Sequence, residues 1–223
     1  MKAYRGFTLV EVLVAIGVMA VLALMSWRGI DGILRTQNQL QQRADHTRTL
    51  QAGLAQWQTD LNRLSTASGI TAWDWDGKVL RLTREDAQAA NGLRVVAWTW
   101  RNGAAAGGDW LRWQSAALTT RAAWQEAWAN ARLWSQTPTE ALRAAEVAIV
   151  PLAGWQLFVH RGGSWTNPLS SDVGTEGSSA NVSTNTAQPP DGVRLMLDLP
   201  TPSVLSGRLT LDWVRPTLTG AGS

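Results

Sequence analysis

The chain has 223 residues, with 20 Lys and Arg against 17 Asp and Glu, which gives a formal net charge of +3. The chain contains no run of Lys or Arg of the kind that binds nucleic acid. It also contains no Cys, which excludes thiol catalysis, disulfides and thiolate metal sites. Hydrophobic residues make up 45% of the chain, enough for a sizeable core, and 14 of them are Trp.

An apolar run near the N-terminus is long enough to cross a membrane. Residues 7–26 carry only one charge, that of Glu11. A helix of that length is roughly 30 Å long, about the hydrocarbon thickness of a bilayer. Lys2 and Arg5 precede the run, so the positive-inside rule predicts a cytoplasmic N-terminus and a remainder across the membrane. A secretory signal peptide cut near residues 23–26 is the alternative.

The start of this run carries a specific pattern. It reads Gly6-Phe7-Thr8-Leu9-Val10-Glu11, after a short basic leader. The pattern resembles the N-terminal signal of type IV pilins and type II secretion pseudopilins. The resemblance implies that a prepilin peptidase cuts between Gly6 and Phe7 and methylates the new N-terminal Phe7. Residues 1–6 are then the leader, and the apolar helix stays on the mature protein.

Glu11 is the one acid of the apolar run, where a charged side chain costs roughly 2.5–3.5 kcal/mol on insertion scales and usually has a partner. The run contains no base. Cleavage after Gly6 creates one, the α-amino group of Phe7, about one helical turn before Glu11. The pair can form within one helix or between subunits. The resemblance favours the neighbouring subunit, which makes Glu11 an assembly contact; a carboxylate that reaches the lipid headgroups is the alternative.

The helical pattern continues beyond the apolar run. Residues 27–64 contain no Pro, and their middle part, residues 35–48, is polar nearly all round. We therefore predict one long helix with a membrane half, a solvated neck and an amphipathic half that packs on a head; a heptad coiled coil is the rival. The amphipathic stripe steps by four or three residues through Leu50, Leu54, Trp57, Leu61 and Leu64.

From residue 72 the period changes to that of strands. The pattern predicts five or six antiparallel strands separated by turn residues, and a helix over 119–134. Residues 65–223 form the β-rich head in this interpretation, and the polar stretch 170–192 forms a flexible loop within it. The fold class is α+β. The strand segments are 78–84, 93–101, 109–115, 154–162, 192–200 and 207–215.

Three stretches, residues 47–64, 150–167 and 189–199, resemble the J-type minor pseudopilin of type II secretion. The resemblance implies a pilin-like fold and a non-enzymatic structural subunit without a cofactor. Such a subunit sits at the tip of a periplasmic pseudopilus and helps to initiate its assembly. Its implied partners are the I-type and K-type minor pseudopilins, the H-type and major pseudopilins, the prepilin peptidase and inner-membrane lipid, without nucleic acid. The implied location is the bacterial inner membrane, with a single span and a periplasmic head.

Other functions remain open. A minor pilin of a type IV pilus carries the same N-terminal signal. A membrane-anchored binding module is a second alternative, in which Trp side chains that come close together stack sugars; those two residues apart on a strand share a face. The competing interpretation is that these Trp residues fill a core or an interface. The pairs in question are Trp73 and Trp75, Trp98 and Trp100, and Trp110 and Trp113.

Residues that carry chemistry are few. His46 and His160 are the two histidines of the chain, and they lack the spacing of metal ligands. Residues 74–77, Asp-Trp-Asp-Gly, are better explained as a hairpin turn than as the start of a calcium loop. We predict no catalytic and no metal site, and an anchored hydrolase has almost no support from the residues.

Overall fold

The computed structural model describes residues 8–86, 92–103, 107–169, 189–201 and 205–216. The chain divides into two compact units, Met1–Asp45 and His46–Ser223. One helix, α1 (Leu9–Asn62), contributes to both units. Residues 170–188 of the predicted loop 170–192 lie outside the described residues. Gly192, the last residue of that loop, begins a strand.

In the first unit, α1 is a single exposed helix. It contains no Pro, which fits its uninterrupted length of 54 residues. The side chains of residues 8–43 are all exposed. The helix was predicted over residues 7–64, and it ends two residues earlier, at Asn62.

The second unit contains a five-stranded antiparallel sheet, here called the first sheet. Its strands are neighbours in chain order, as expected when short turns join them. Between the fourth and fifth strands the chain forms helix α2 (Arg121–Gln136) and the short helix α3 (Glu140–Arg143). The strands are β1 (Trp73–Trp75), β2 (Val79–Glu85), β3 (Leu93–Asn102), β4 (Gly108–Gln114) and β5 (Glu146–Leu152).

A second, four-stranded antiparallel sheet follows. Its strands are β6 (Gly154–Arg161), β7 (Ser164–Thr166), β8 (Gly192–Leu199) and β9 (Gly207–Val214), in the spatial order β7-β6-β8-β9. The described residues thus contain nine strands in two sheets, where the sequence predicted five or six. The pattern missed β1 and β7 because three residues are too few to show alternation, and it missed β5.

The amphipathic half of α1 is buried between the two sheets. Leu50, Trp57 and Leu61 are buried in one cluster with inward-facing residues of both sheets, while Leu54 and Leu64 are partly buried against it. This confirms the predicted stripe. On the opposite face of the first sheet, α2 forms a second cluster through Trp124, Ala127, Ala131 and Trp134.

Candidate functional site: the N-terminal helix

The N-terminus of α1 is closed by a reciprocal set of hydrogen bonds between Thr8 and Glu11. The Glu11 carboxylate accepts from the backbone N–H of Thr8 at 3.0 Å and from its hydroxyl at 2.9 Å. In return, the backbone N–H of Glu11 donates to the Thr8 hydroxyl oxygen at 3.4 Å. This is a capping box, in which a Thr before the helix and a Glu at its third position satisfy each other. Glu11 therefore has a partner within its own helix.

The other two residues of the predicted site, Gly6 and Phe7, lie outside the described residues. The pairing of Glu11 with the Phe7 amine thus stays a prediction. Both bonds from Thr8 end on Oε2 of Glu11, so Oε1 keeps the capacity to accept from a further donor. The sequence analysis missed Thr8 as a partner, although the spacing Thr-x-x-Glu ahead of an apolar run is the sequence signature of a capping box.

The surface of α1 after Glu11 is apolar on all sides. Among the described residues, this is the one helix long and apolar enough to cross a membrane, with a mean hydropathy of 2.5 over its most apolar 18 residues. None of that stretch is buried against protein. A helix that is apolar all round needs an apolar environment, such as lipid. Its large exposed apolar side chains include Leu9, Val10, Leu13, Val14, Ile16, Met19, Leu22, Leu24 and Met25.

Charges return to the helix directly after this apolar surface. Asp31 and Arg35 form an ion pair one helical turn apart, with 2.8 Å between the carboxylate oxygen and the guanidinium nitrogen. Both side chains are at least half exposed, so the pair suits a solvated surface. The change from apolar to charged side chains around residue 28 marks the end of the stretch that lipid can cover.

In the head, α1 is fixed to the first sheet by the buried carboxylate of Asp60. Arg112 on β4 donates to it twice, from Nε at 2.8 Å and from Nη2 at 3.0 Å. Trp98 on β3 donates its indole N–H at 3.0 Å, and Gln56 donates at 2.9 Å. Asp60 has no exposed surface. A buried charge of this kind is tolerated because several donors replace the water it has lost.

A second guanidinium completes this cluster. Nε of Arg84 on β2 lies 3.4 Å from the Asp60 carboxylate, and both Arg84 and Arg112 donate to the side-chain oxygen of Gln114, at 2.9 and 2.8 Å. Burial lowers the pKa of the Arg84 guanidinium, and the attraction of Asp60 opposes that shift. No sequence pattern signals this cluster, because its members come from four elements that are distant in the chain.

Most of the Trp pairs that the sequence offered for sugar stacking lie in the interior. The rings of Trp98 and Trp110 lie against each other at a tilt, with centroids 4.6 Å apart, and Trp57 and Trp98 form a T-shaped pair with centroids 5.4 Å apart. Buried rings have no face for a ligand, so the glycan interpretation is wrong for them and the core interpretation is confirmed. Trp75 and Trp100 are half-buried against the same core. The buried members are Trp73, Trp98, Trp110 and Trp113, each at most 4% exposed.

The remaining candidates have local structural roles. The side chain of Asp76 accepts from the backbone N–H groups of Lys78 at 3.0 Å and Val79 at 2.8 Å, and Gly77 has a positive φ of 92°. Residues 74–77 thus contribute to the turn between β1 and β2, as predicted. His160 packs against Trp165, while His46 is exposed. No group of three or more possible metal ligands occurs among the described residues.

Comparison with known proteins adds one specific match. Residues 1–27 match the family described as "Prokaryotic N-terminal methylation motif". This match and the single apolar helix together indicate that the chain is anchored in a membrane by one helix. A search of the curated proteins finds no matching sequence.

Among solved structures, the chain is similar to one in the crystal structure of the GspK-GspI-GspJ complex from the type 2 secretion system of enterotoxigenic Escherichia coli. The identity is 13% and the TM-score is 0.39, over 76% of this chain and 96% of that one.

Proposed function

We propose that this chain is a J-type minor pseudopilin of a type II protein secretion system. It acts as a structural subunit at the tip of the periplasmic pseudopilus and helps to initiate its assembly. The observation that carries the proposal is the methylation motif over residues 1–27 at the start of an apolar helix that continues without interruption to Asn62. A helix that remains attached to a folded head after processing has the form required of a filament subunit.

In this proposal, the prepilin peptidase cuts between Gly6 and Phe7 and methylates the Phe7 amine. The new terminus then lies directly before Thr8, whose N–H and hydroxyl already orient the Glu11 carboxylate. Oε1 of Glu11 is left to accept from the amine of a neighbouring subunit. The capping box thus prepares Glu11 for an intersubunit contact, because it fixes the carboxylate at the helix start before the partner arrives.

The partners proposed for the head are the I-type and K-type minor pseudopilins, with the H-type and major pseudopilins below. The anchor lies in the bacterial inner membrane with its N-terminus in the cytoplasm, and the head lies in the periplasm. A minor pilin of a type IV pilus carries the same N-terminal signal. Co-purification of the chain with I-type and K-type subunits supports the pseudopilin proposal, and co-purification with pilins alone contradicts it.

Mass spectrometry of the mature N-terminus tests the processing step. The chain is expressed with and without a prepilin peptidase, and the intact mass is measured after membrane extraction. We expect a protein that begins at Phe7 and carries one methyl group when the peptidase is present. Substitution Gly6→Val serves as the control and leaves residues 1–6 attached. A protein that still begins at Met1 beside active peptidase, or one that begins after residue 26, refutes the proposal.

A further inference from the structure

Four arginines lie together on the side of the first sheet that α1 covers, near the end of that helix. Arg84 of β2 and Arg94 of β3 are directly opposite each other in the register of the sheet. Arg112 of β4 faces the same side, where it binds a carboxylate of α1. Arg63 follows directly after the last residue of α1. These four residues are here called the arginine patch.

The members of the patch are close enough to repel one another. Nη2 of Arg84 and Nη2 of Arg112 donate to the same oxygen, Oε1 of Gln114, at 2.9 and 2.8 Å. Burial lowers the pKa of the Arg84 guanidinium, Asp60 opposes that shift, and the other three members of the patch add to it. Like charges that face each other across two strands destabilise a sheet. The arrangement therefore needs negative charge nearby.

The negative charge beside the patch is smaller than its positive charge. Asp60 is the counter-charge of Arg84 and Arg112, and Asp86 pairs with the member on β3 at 2.9 Å. Among the described residues, no other carboxylate lies within ion-pair distance of the patch. Residues 87–91, which follow Asp86, are Ala, Gln and Asn and carry no charge. The negative end of the α1 dipole adds only about half a unit charge, which leaves the patch positive.

The patch also keeps hydrogen-bond donors that the rest of the chain does not use. A guanidinium group has five N–H donors. Among the described residues, Nη1 of Arg84, Nη1 of Arg112 and Nη2 of Arg94 form no hydrogen bond, and none of the three is a buried atom. The side chains that carry them are between 11% and 19% exposed, and Arg63 is exposed. These donors are thus available to a group that approaches from outside.

The patch is wider than a single small anion. Three of its members come from three successive strands, and neighbouring strands are about 4.8 Å apart, so the patch extends over roughly 10 Å across the sheet. Val147 of β5 is directly opposite Arg112 in the register, hence on the same face, and is 53% exposed. A ligand that matches this surface carries more than one anionic group and an apolar group beside them.

We propose that the arginine patch binds an acidic segment of another polypeptide, with two or more carboxylates on the arginines and an apolar side chain on Val147. Carboxylates suit these donors because they accept from a guanidinium in bidentate pairs, as Asp60 does from Arg112. An extended segment places every second side chain on one face, about 7 Å apart, so two acids span most of the patch. Where the proposed function holds, the segment belongs to a neighbouring subunit. The binding site itself does not depend on that function.

A synthetic peptide of the sequence Ser-Glu-Ser-Glu-Ser-Val-Ser is a suitable probe, because in an extended chain both Glu and the Val share one face. Binding of the fluorescein-labelled peptide to the full chain, in micelles of an uncharged detergent, is measured by fluorescence anisotropy at low ionic strength. We expect saturable binding that weakens as salt is added, since salt screens exposed ion pairs. A control peptide with Gln in place of both Glu should show no saturable binding.

Arg63 provides a variant that tests the patch without disturbing the fold. Its side chain is exposed, whereas Arg84 and Arg112 hold the buried Asp60. We expect Arg63→Gln to weaken peptide binding about two- to fivefold, the contribution of one exposed ion pair. Arg143→Gln is the matched control. It makes the same change in net charge on α3, beside the cluster on the opposite face of the sheet, and should bind as the parent does. Thermal unfolding confirms that both variants retain the fold.

Absence of saturable binding overturns the proposal, as does equal binding of the Gln peptide. Equal weakening by Arg63→Gln and Arg143→Gln also overturns it, because attraction to the net charge of the chain would then explain the binding. Inorganic phosphate that displaces the peptide better than chloride of equal ionic strength overturns the assignment to a polypeptide and favours a phosphate-bearing ligand. None of these measurements depends on cleavage after Gly6. Their failure leaves the proposed function standing, and failure of N-terminal processing leaves the arginine patch standing.

Discussion

Asp60 on α1 and Arg112 on β4 form a bidentate ion pair in the interior of the head, with nitrogen–oxygen distances of 2.8 and 3.0 Å. The pair joins the amphipathic half of α1 to the first sheet. Because Asp60 is fully buried, its removal leaves the guanidinium groups of Arg84 and Arg112 without their counter-charge. The cost of losing one partner of a buried pair exceeds the net contribution of the pair itself.

We therefore predict that Asp60→Ala lowers the free energy of unfolding by about 3–5 kcal/mol. Urea unfolding followed by Trp fluorescence measures the change, since several buried Trp rings surround this site. Gln56→Ala is the matched control: it removes one neutral donor from the same carboxylate and should cost only about 1 kcal/mol. Equal effects of the two variants would contradict the role assigned to the ion pair.

Gly53 of α1 lies against Ile149 of β5. A Cβ atom at this position would overlap Cγ2 of Ile149 and lie 3.3 Å from the Trp110 ring. We predict that Gly53→Ala destabilises the head by about 1–3 kcal/mol through overpacking, although Ala favours helices. Thermal unfolding monitored by circular dichroism measures the effect.

The double variant Gly53→Ala with Ile149→Ala tests the cause of this effect. It removes the overlapping methyl group, so it should be more stable than the sum of the two single changes predicts. Gly32→Ala is the control for helix propensity, because a Cβ at residue 32 meets nothing within 4 Å. Simple additivity of the two changes in the head would show that the overlap is not the source.

The capping box at the start of α1 predicts that substitutions of Thr8 and of Glu11 weaken the same proposed intersubunit contact. Glu11→Ala removes the carboxylate that both the capping box and the proposed intersubunit contact use. We expect the variant to insert into the membrane but to co-purify with less of its partner pseudopilins after cross-linking. Thr8→Val should reduce co-purification as well, because the carboxylate loses its hydroxyl donor, whereas Thr8→Ser should behave as the parent. Normal co-assembly of Glu11→Ala would refute the assembly role of that residue.

The Arg194–Asp212 pair predicts a pH dependence. The hydrogen bonds from Arg194 lower the pKa of Asp212 below its ordinary value. An acid with a lowered pKa stabilises the fold above its unfolded pKa of about 3.9, and this contribution is lost as the pH falls through the folded pKa. Asp212→Asn should therefore lower the melting temperature at pH 7, and the difference from the parent should shrink below about pH 4.

Melting curves of the parent and Asp212→Asn between pH 2 and 7 measure this difference. Glu126→Gln, on the exposed face of α2, serves as the control for a general change in net charge. A destabilisation by Asp212→Asn that persists unchanged into strong acid would show that the charge of Asp212 is not its cause.

The sequence by itself determined the long helix, its apolar first half and its amphipathic second half. The apolar half is a continuous run and the amphipathic stripe repeats every three or four residues, so both are visible within a short window. The same holds for the pattern from Gly6 to Glu11 and for the turn at residues 74–77. Thr8 and Glu11 could also have been paired from their spacing, since a capping box is local.

Only the tertiary structure decided how strands from distant parts of the chain meet. It divided the strands into two sheets, placed Asp60 between Arg84 and Arg112, and buried Trp98 and Trp110 in the core. It also made β9 an edge. Strand neighbours are selected by the joint burial of side chains far apart in sequence, and a local pattern contains no information about which strand lies beside which.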